Sequence, residues 1–430
     1  MNSKLAHRPM SANEKRFSDQ INKMFIQFAI EVNHPSELPP FLEKIKKSTA
    51  GLFIKTDGHN LIDNGISPDS VTIHKIPKNI KTLQGCCDWL YETLTPNNDH
   101  ALASIAADDT RVVVNSNHAL TDGGFYAQLL EDIQNPSADY LFKSIAPMPG
   151  DLRNNLLKPE FDQFLKDKAK YASHWPSFKT SDLTFLTLQE TVDLPDRSKL
   201  VPPRLQTEMK CNELSPFIYD KKTGKTNHVS DYLWAGICFA MNAKNGKFGS
   251  IGIDTCMDFR RILPKSKIDH SFGNAFTNFT LCVENPDPKM TVGEICKELR
   301  KNFKLIRAND WFYKEYLFPL EVFREDCAVC HVSNVGKLSI KDPLKDFHLQ
   351  VTSKENALRP FAQVTSYNKL KVETGLNDFI LHFRYSPLIM SYKTAKDIFD
   401  TYIYFLKNID PSKKSGDVLD ELIHFQQSLN

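Results

Sequence analysis

Arg111-Val112-Val113-Val114-Asn115-Ser116-Asn117, then His118-Ala119-Leu120-Thr121-Asp122-Gly123, then Gly124-Phe125-Tyr126-Ala127-Gln128-Leu129-Leu130-Glu131-Asp132-Ile133 is the stretch on which the fold turns. The first seven residues are a short β-branched run and predict a strand. The spacing of Phe125, Tyr126, Leu129, Leu130 and Ile133 predicts an amphipathic helix. His118 is therefore delivered at a strand end, immediately before a tight turn into a helix. Catalytic side chains favour such loops, because a rigid scaffold aims them while the loop exposes them. An imidazole with an ordinary pKa near 6.5 suits a general base at neutral pH, provided it is neutral and within hydrogen-bond reach of its proton. Asp122, four residues on, is placed to hold the loop or to orient the ring. Gly123 and Gly124 permit an unusual backbone path and close approach of a ligand. The plainer reading stays open beside this one: Asp122 as the N-cap of the following helix, and His118 as a satisfied loop histidine.

Upstream, Met24 to Val32 alternates as a strand. A helix is expected after it, capped at Ser36, with Pro39 and Pro40 tolerated in its first turn. Leu52–Ile54 and Val71–Ile73 suggest short strands, Leu83–Leu94 a helix, and Ala101–Ala106 with Arg111–Asn117 a hairpin around Asp108-Asp109-Thr110. From His174 to Gln206 the periodicity fails at Pro176, Pro195, Pro202 and Pro203, which reads as a crossover. Beyond it come a helix over Val229–Asn242 capped at Ser230, strands at Ile251–Met257 and Phe276–Val283, and a helix opened by the capping box Thr291-Val292-Gly293-Glu294. Strands at Ala328–Ser333 and Phe379–Tyr385 and a closing helix over Ser391–Leu406 complete the chain. Strands and helices alternate irregularly in both halves, so the fold class is α/β with a mixed sheet in each half. The expected units are residues 1–175, a linker at 176–206, and residues 207–430.

A chain of 430 residues exceeds what one core supports, consistent with two halves. With 54 basic against 52 acidic residues and no long block of either sign, nothing predicts a phosphate-backbone footprint, so nucleic acid is not expected as a partner. The N-terminus lacks the apolar core of a secretory signal, and the longest apolar run, Tyr232 to Met241, is about half a bilayer span. Nine cysteines, an odd number scattered through apolar segments, read as reduced core thiols of a cytoplasmic protein.

His118-Ala119-Leu120-Thr121-Asp122-Gly123 resembles the HxxxDG motif of the chloramphenicol acetyltransferase-like superfamily, which includes alcohol acetyltransferases and the condensation domains of peptide synthetases. Pro9-Met10-Ser11-Ala12-Asn13-Glu14 is similar to the opening of alcohol acetyltransferase-like chains. Ile253 to Arg261 is similar to their strand ending in arginine, Gly273-Asn274 to the pair that follows it, and Ser333-Asn334-Val335-Gly336 to their late SNxG turn. The resemblance spans nearly the whole chain. It implies two chloramphenicol acetyltransferase-like halves with an active-site tunnel at their junction and His118 at its middle. It further implies acyl transfer from coenzyme A thioester to an alcohol or amine, with His118 as general base and Asp122 structural, paired with an arginine. Arg260 is the candidate partner, with Arg261 and Arg384 behind it; Gly123 supports the turn. Ser333, Asn334 and Asn278 are candidate oxyanion donors. Acyl-CoA enters as co-substrate, no bound cofactor or metal is implied, and a monomer is expected. The DFGWG motif of the plant branch is absent. Two alternatives remain: a free-standing condensation-type enzyme fed by a carrier protein, and a non-catalytic binding protein on the same scaffold.

Three further patterns are set aside. Cys327-Ala328-Val329-Cys330-His331 spells a haem-attachment motif but sits in an apolar strand-like stretch. Lys221 to Thr226 contains a GKT without the upstream glycine of a phosphate loop. Lys44, Lys46 and Lys47 form a small basic helix face, read as solvated.

Overall fold

The computed structural model describes residues 6–18, 24–146, 148–150, 202–262, 273–308, 330–353, 362–387 and 390–429, with isolated residues between 159 and 166. Most of the 176–206 crossover, and Cys327 to Val329, lie outside these residues.

The first half opens with helix α1 (Ala12–Ser18), strand β1 (Met24–Val32), helix α2 (Leu38–Ser48), strand β2 (His74–Lys75), helix α3 (Leu83–Thr93), strands β3 (Ala103–Ala107) and β4 (Arg111–Asn117), and helix α4 (Gly123–Ile133). The second carries β5 (Arg204–Lys210), α5 (Val229–Asn245), β6 (Ile251–Asp258), β7 (Phe276–Val283), α6 (Val292–Ala308), β8 (Cys330–Ile340), β9 (Leu344–Ser353), β10 (Ala362–Lys371), β11 (Asn377–Tyr385), α7 (Tyr392–Asn408) and α8 (Ser415–Ser428). A sheet of order β9-β1-β4-β3-β2 and one of order β7-β6-β8-β10-β11-β5 dominate, and both mix parallel with antiparallel pairs. No helix among the described residues is long and apolar enough to cross a membrane.

β1 and β4 are buried on both faces, which explains why β4 reads as a continuous apolar run. Ala29 and Val113 pack against Cys86, Cys87 and Leu90 of α3. Phe28, Ile30, Val112 and Val114 take the opposite face with Phe41 of α2 and Phe125 and Leu129 of α4. In the second half α5 is apolar all round because the sheet, α6, α7 and α8 enclose it. A Cβ at Gly236 would stand 2.6 Å from Phe405, so glycine sets how closely α7 approaches.

Several elements depart from their sequence expectation. α2 begins at Leu38 with Glu37 as N-cap, because Pro35 and Ser36 are taken up in a short 3-10 turn. α5 is preceded by His228 in the left-handed region, so Ser230 lies inside the helix. Residues 71–73 form no strand. Ser333 to Gly336 is a bulge within β8, not a turn, with Gly336 at φ 96°. Arg204 to Gln206, the last residues of the expected linker, open β5, which pairs with β11. β9, placed by position in the second half, pairs along its length with β1 and completes the first sheet. The basic face of α2 is largely paired: Lys44 with Asp139 at 2.7 Å and Lys46 with Glu43 at 2.5 Å. The GKT segment is a tight hairpin turn between Tyr219–Asp220 and Lys225–Thr226.

The two sheets meet across a polar seam. Arg204 binds Asp88 at 2.8 Å, Lys369 binds Asp346 at 2.9 Å, and Arg384 donates to Gln363 at 3.0 Å and to Ser353 at 2.5 Å. The rings of His348 and His382 lie 5.4 Å apart across it, both buried. Burial pushes His348 and His331 down to about 4, and holds His382 and His118 below the usual imidazole value. The unfolded chain therefore binds more protons than the fold between roughly pH 6.5 and 4, and stability falls on acidification through that window. Asp254, raised to about 6 by burial, and Asp258, also raised by burial, act in the opposite sense, two carboxyls against four imidazoles. The urea midpoint is expected to drop between pH 7 and pH 5; a midpoint that held or rose would contradict the neutral burial of these histidines.

Candidate active site

β4 ends at Asn117, and the backbone N–H of His118 donates to the Met24 carbonyl at 2.8 Å, fixing the turn to the end of β1. Asn117 Oδ1 accepts the Ala119 N–H at 2.9 Å. Asp122 then caps α4, accepting the Phe125 N–H at 2.7 Å on Oδ1. Its remaining capacity is filled from the second half: Arg260 Nη1 lies 2.9 Å from Oδ1 and 3.0 Å from Oδ2, and the Ala275 N–H donates to Oδ2 at 2.6 Å. None of these bonds goes to His118. Asp122 thus shapes the loop and does not orient the ring, and both the N-cap and the arginine pairing hold at once.

Arg260 comes from the turn after β6 and also donates to Asp258 at 3.1 Å and to the Gly273 carbonyl at 3.1 Å. Arg261 points elsewhere and donates to the Val335 carbonyl at 2.7 Å. Arg384 lies on β11 among the seam residues, bonded to Gln363 and Ser353, so it does not stand behind Asp122. Gly273 and Gly124 let these segments close. A Cβ on Gly273 would collide with the Leu120 carbonyl, and one on Gly124 would enter the Asp258 carboxylate. Asn274 Nδ2 donates to the His118 carbonyl at 2.6 Å, a second tie across the halves.

The imidazole of His118 is only 7% exposed yet lines a cavity of about 330 Å³. It stacks on Phe17 of α1 with ring centres 4.4 Å apart at 8°, and Phe276 flanks it at 5.1 Å. Nδ1 is buried without a well-formed hydrogen bond, which leaves Nε2 as the nitrogen toward the cavity. Burial lowers the pKa below the ordinary value; the Asp122 charge and the His118 and Thr121 backbone partly offset it. At neutral pH the ring is uncharged and able to accept a proton.

Asn278, Ser333 and Asn334 also line the cavity, as does Gly123. Asn334 is occupied, donating to Ser230 Oγ at 3.2 Å and accepting the Gly336 N–H at 3.0 Å. Asn278 Oδ1 lies 3.1 Å from Cys256 Sγ, while its Nδ2 has no partner among the described residues. Cys256 Sγ also lies 3.1 Å from His331 Nε2. Burial raises this thiol to about 12 and lowers His331 to about 4, so the pair is neutral and not a primed nucleophile. Among the described residues no three His, Cys, Asp or Glu side chains converge as metal ligands, and the eight described cysteines are free thiols. Sequence reasoning missed Phe17, whose short helix carries no clear period, and the meeting of Cys256 with His331, 75 residues apart.

No family model matches the chain, and no curated protein does. Solved structures do. The first condensation domain of the calcium-dependent antibiotic synthetase superposes with a TM-score of 0.66 at 12% identity, covering 96% of this chain and 98% of that one. The starter condensation domain of rhizomide synthetase, solved with C8-CoA, gives 0.66 at 11% identity over 96% and 97%. Polyketide synthase associated protein 5 from Mycobacterium tuberculosis gives 0.62 at 11% identity over 93% and 98%. At these identities the likeness establishes the architecture: the chain has the two-lobed condensation-domain fold.

Removing one member of a buried ion pair leaves the other charge stranded, at a cost of about 3–5 kcal/mol. Asp122→Ala, which also deletes a cap, should lower stability by that order, and Arg260→Ala by a similar amount. Chemical denaturation of each variant measures this; a change under about 1 kcal/mol for both would mean the pair does not anchor the turn.

Proposed function

We propose that the protein is an acyltransferase that moves an acyl group from a thioester to a hydroxyl or amine, with His118 as general base. The observation that carries this reading is a neutral imidazole whose Nε2 faces a cavity between the two sheets, with Phe17 packed on the ring and the Asp122–Arg260 pair fixing its loop. The condensation-domain likeness supports it, since the starter condensation domain of rhizomide synthetase was solved with C8-CoA and, as another variant, with C8-CoA and Leu-SNAC.

In this mechanism the acceptor O–H or N–H gives its proton to His118 Nε2 as its oxygen or nitrogen attacks the thioester carbonyl. Negative charge gathers on the carbonyl oxygen, where Asn278 Nδ2 and the Ser333 hydroxyl, which also bonds the Cys256 thiol, are the donors offered by the cavity wall. Collapse breaks the carbon–sulfur bond, and the leaving thiolate recovers the proton from the imidazolium. No covalent acyl-enzyme is formed, because the donor is already activated. We take coenzyme A as the donor handle, with no bound cofactor; a carrier-protein thioester is the second reading. Supplying each donor separately, and following free thiol, separates them. A binding protein on this scaffold would release no thiol from either.

His118→Ala should lower kcat/KM by about 10²–10⁴ while leaving the fold intact, read by thiol release and by circular dichroism. Activity close to wild type would end the proposal. Because the ring's pKa lies below 6.5, the acid limb of kcat/KM should have its midpoint under pH 6.5; a midpoint above 7 would be incompatible with a desolvated base. Phe17→Ala should lower kcat by about 10-fold or more with little change in KM, since it frees the ring without removing it.

A further inference from the structure

The cavity does not end at His118. Among the described residues β6 and β8 pair through two positions, Asp254 with His331 and Thr255 with Val332. Beyond these the strands part, β6 staying with β7 and β8 with β10. Met257 and Asp258 line the cavity from one side of the gap, and Ser333 and Val335 from the other. Behind the gap the lining is supplied by Trp234 of α5 and Arg300, Phe303 and Arg307 of α6. The cavity therefore continues as a slot through the second sheet.

The slot is cationic. Arg300 lies with its guanidinium carbon 4.8 Å from the centre of the Trp234 ring and 5.1 Å from that of Phe303, and is paired with Asp231. Among the described residues Arg307 is exposed and bears no ion pair, and Arg261 is exposed and donates to the Val335 carbonyl alone. Arg16 lines the same cavity, and its charge acts on His118 and His331. The lining carboxylates offset part of this charge, since Asp122 and Asp258 share Arg260 and Asp258 also feels Arg261, and the lining arginines remain in excess. Guanidinium forks beside aromatic faces suit a planar carboxylate, which they hold through paired charge-assisted hydrogen bonds. A cavity of about 330 Å³ that already seats the reacting groups leaves room for a small anion and not for a nucleotide.

Resting on the acyl-transfer reading, we propose that one substrate bears a carboxylate remote from the bond being made, and that Arg261, Arg300 and Arg307 receive it in the slot. The carboxylate belongs either to the acyl group or to the acceptor. The test uses N-acetylcysteamine thioesters, which carry no phosphate. One arm compares glutaryl with pentanoyl donors against a fixed neutral acceptor. The other compares amino and hydroxy acids with their amides against a fixed neutral donor. The expected result is a preference of about tenfold or more in kcat/KM for the carboxylate in one arm, which identifies the substrate that carries it. Arg261→Gln with Arg307→Gln, which alter exposed side chains without ion pairs, should erase most of that preference and leave neutral pairs within about twofold. Turnover of neutral pairs with no preference in either arm would refute the slot while sparing the acyl-transfer reading. So would a preference that survives the double replacement, or an effect of that replacement confined to coenzyme A donors. Failure of every pair to react would bring down both.

Discussion

The turn that carries His118 depends on one buried contact, the carboxylate of Asp122 against the guanidinium of Arg260. Asp122 is 3% exposed and receives a helix-cap N–H, an arginine and the Ala275 N–H, so every bond it makes either starts α4 or crosses to the second half. The same arginine reaches the Gly273 carbonyl, and Asn274 beside it holds the His118 carbonyl. A short cycle of bonds therefore joins the end of β4, the end of β6 and the start of β7. The two sheets meet elsewhere through the polar seam and through an apolar patch in which Leu338, Ile340, Tyr367 and Ile380 of the second sheet cluster with Phe347 and Leu349 of the first. The position of the imidazole follows from this cycle and from the Phe17 ring laid over it.

Neutrality is the second constraint. Within the cavity wall His118, His331 and the Cys256 thiol are all held uncharged by burial, while the charged groups are either paired with each other or are arginines. A wall of that kind offers one uncharged base without a competing thiolate. It also leaves a positive field in the direction of α6. The two properties divide the cavity into a place where a proton can move and a place where an anion can rest.

Several elements of both halves were legible in the sequence because their signals are local. Met24–Val32, Arg111–Asn117 and the Thr291 capping box depend on residues within a few positions of one another, and they stand where their patterns place them. The resemblance, not periodicity, pointed to Arg260. What escaped is non-local. β9, β10 and β5 carry polar residues on the face that meets the seam, so Gln350, His348, Gln363 and Gln206 interrupt any simple alternation. α8 was missed because the chain was read as closing one helix earlier, at Leu406. The resemblance implied a turn at the SNVG segment, yet it is a bulge, since β10 pairs on both sides of it. Phe17 belongs to a helix of seven residues, too short for a period to register.

The exchange of β9 into the first sheet has a bearing on how the chain is made. β1 pairs with β4 from its own half, but its other edge is filled only by Leu344–Ser353. A nascent chain emerging from the ribosome would thus present an open strand edge along Met24–Val32 until some three hundred further residues had been synthesised. Open edges of apolar strands invite pairing with other chains. Vectorial folding of the first half is consequently provisional, and its last strand arrives only after β5 to β8 of the second half have been made.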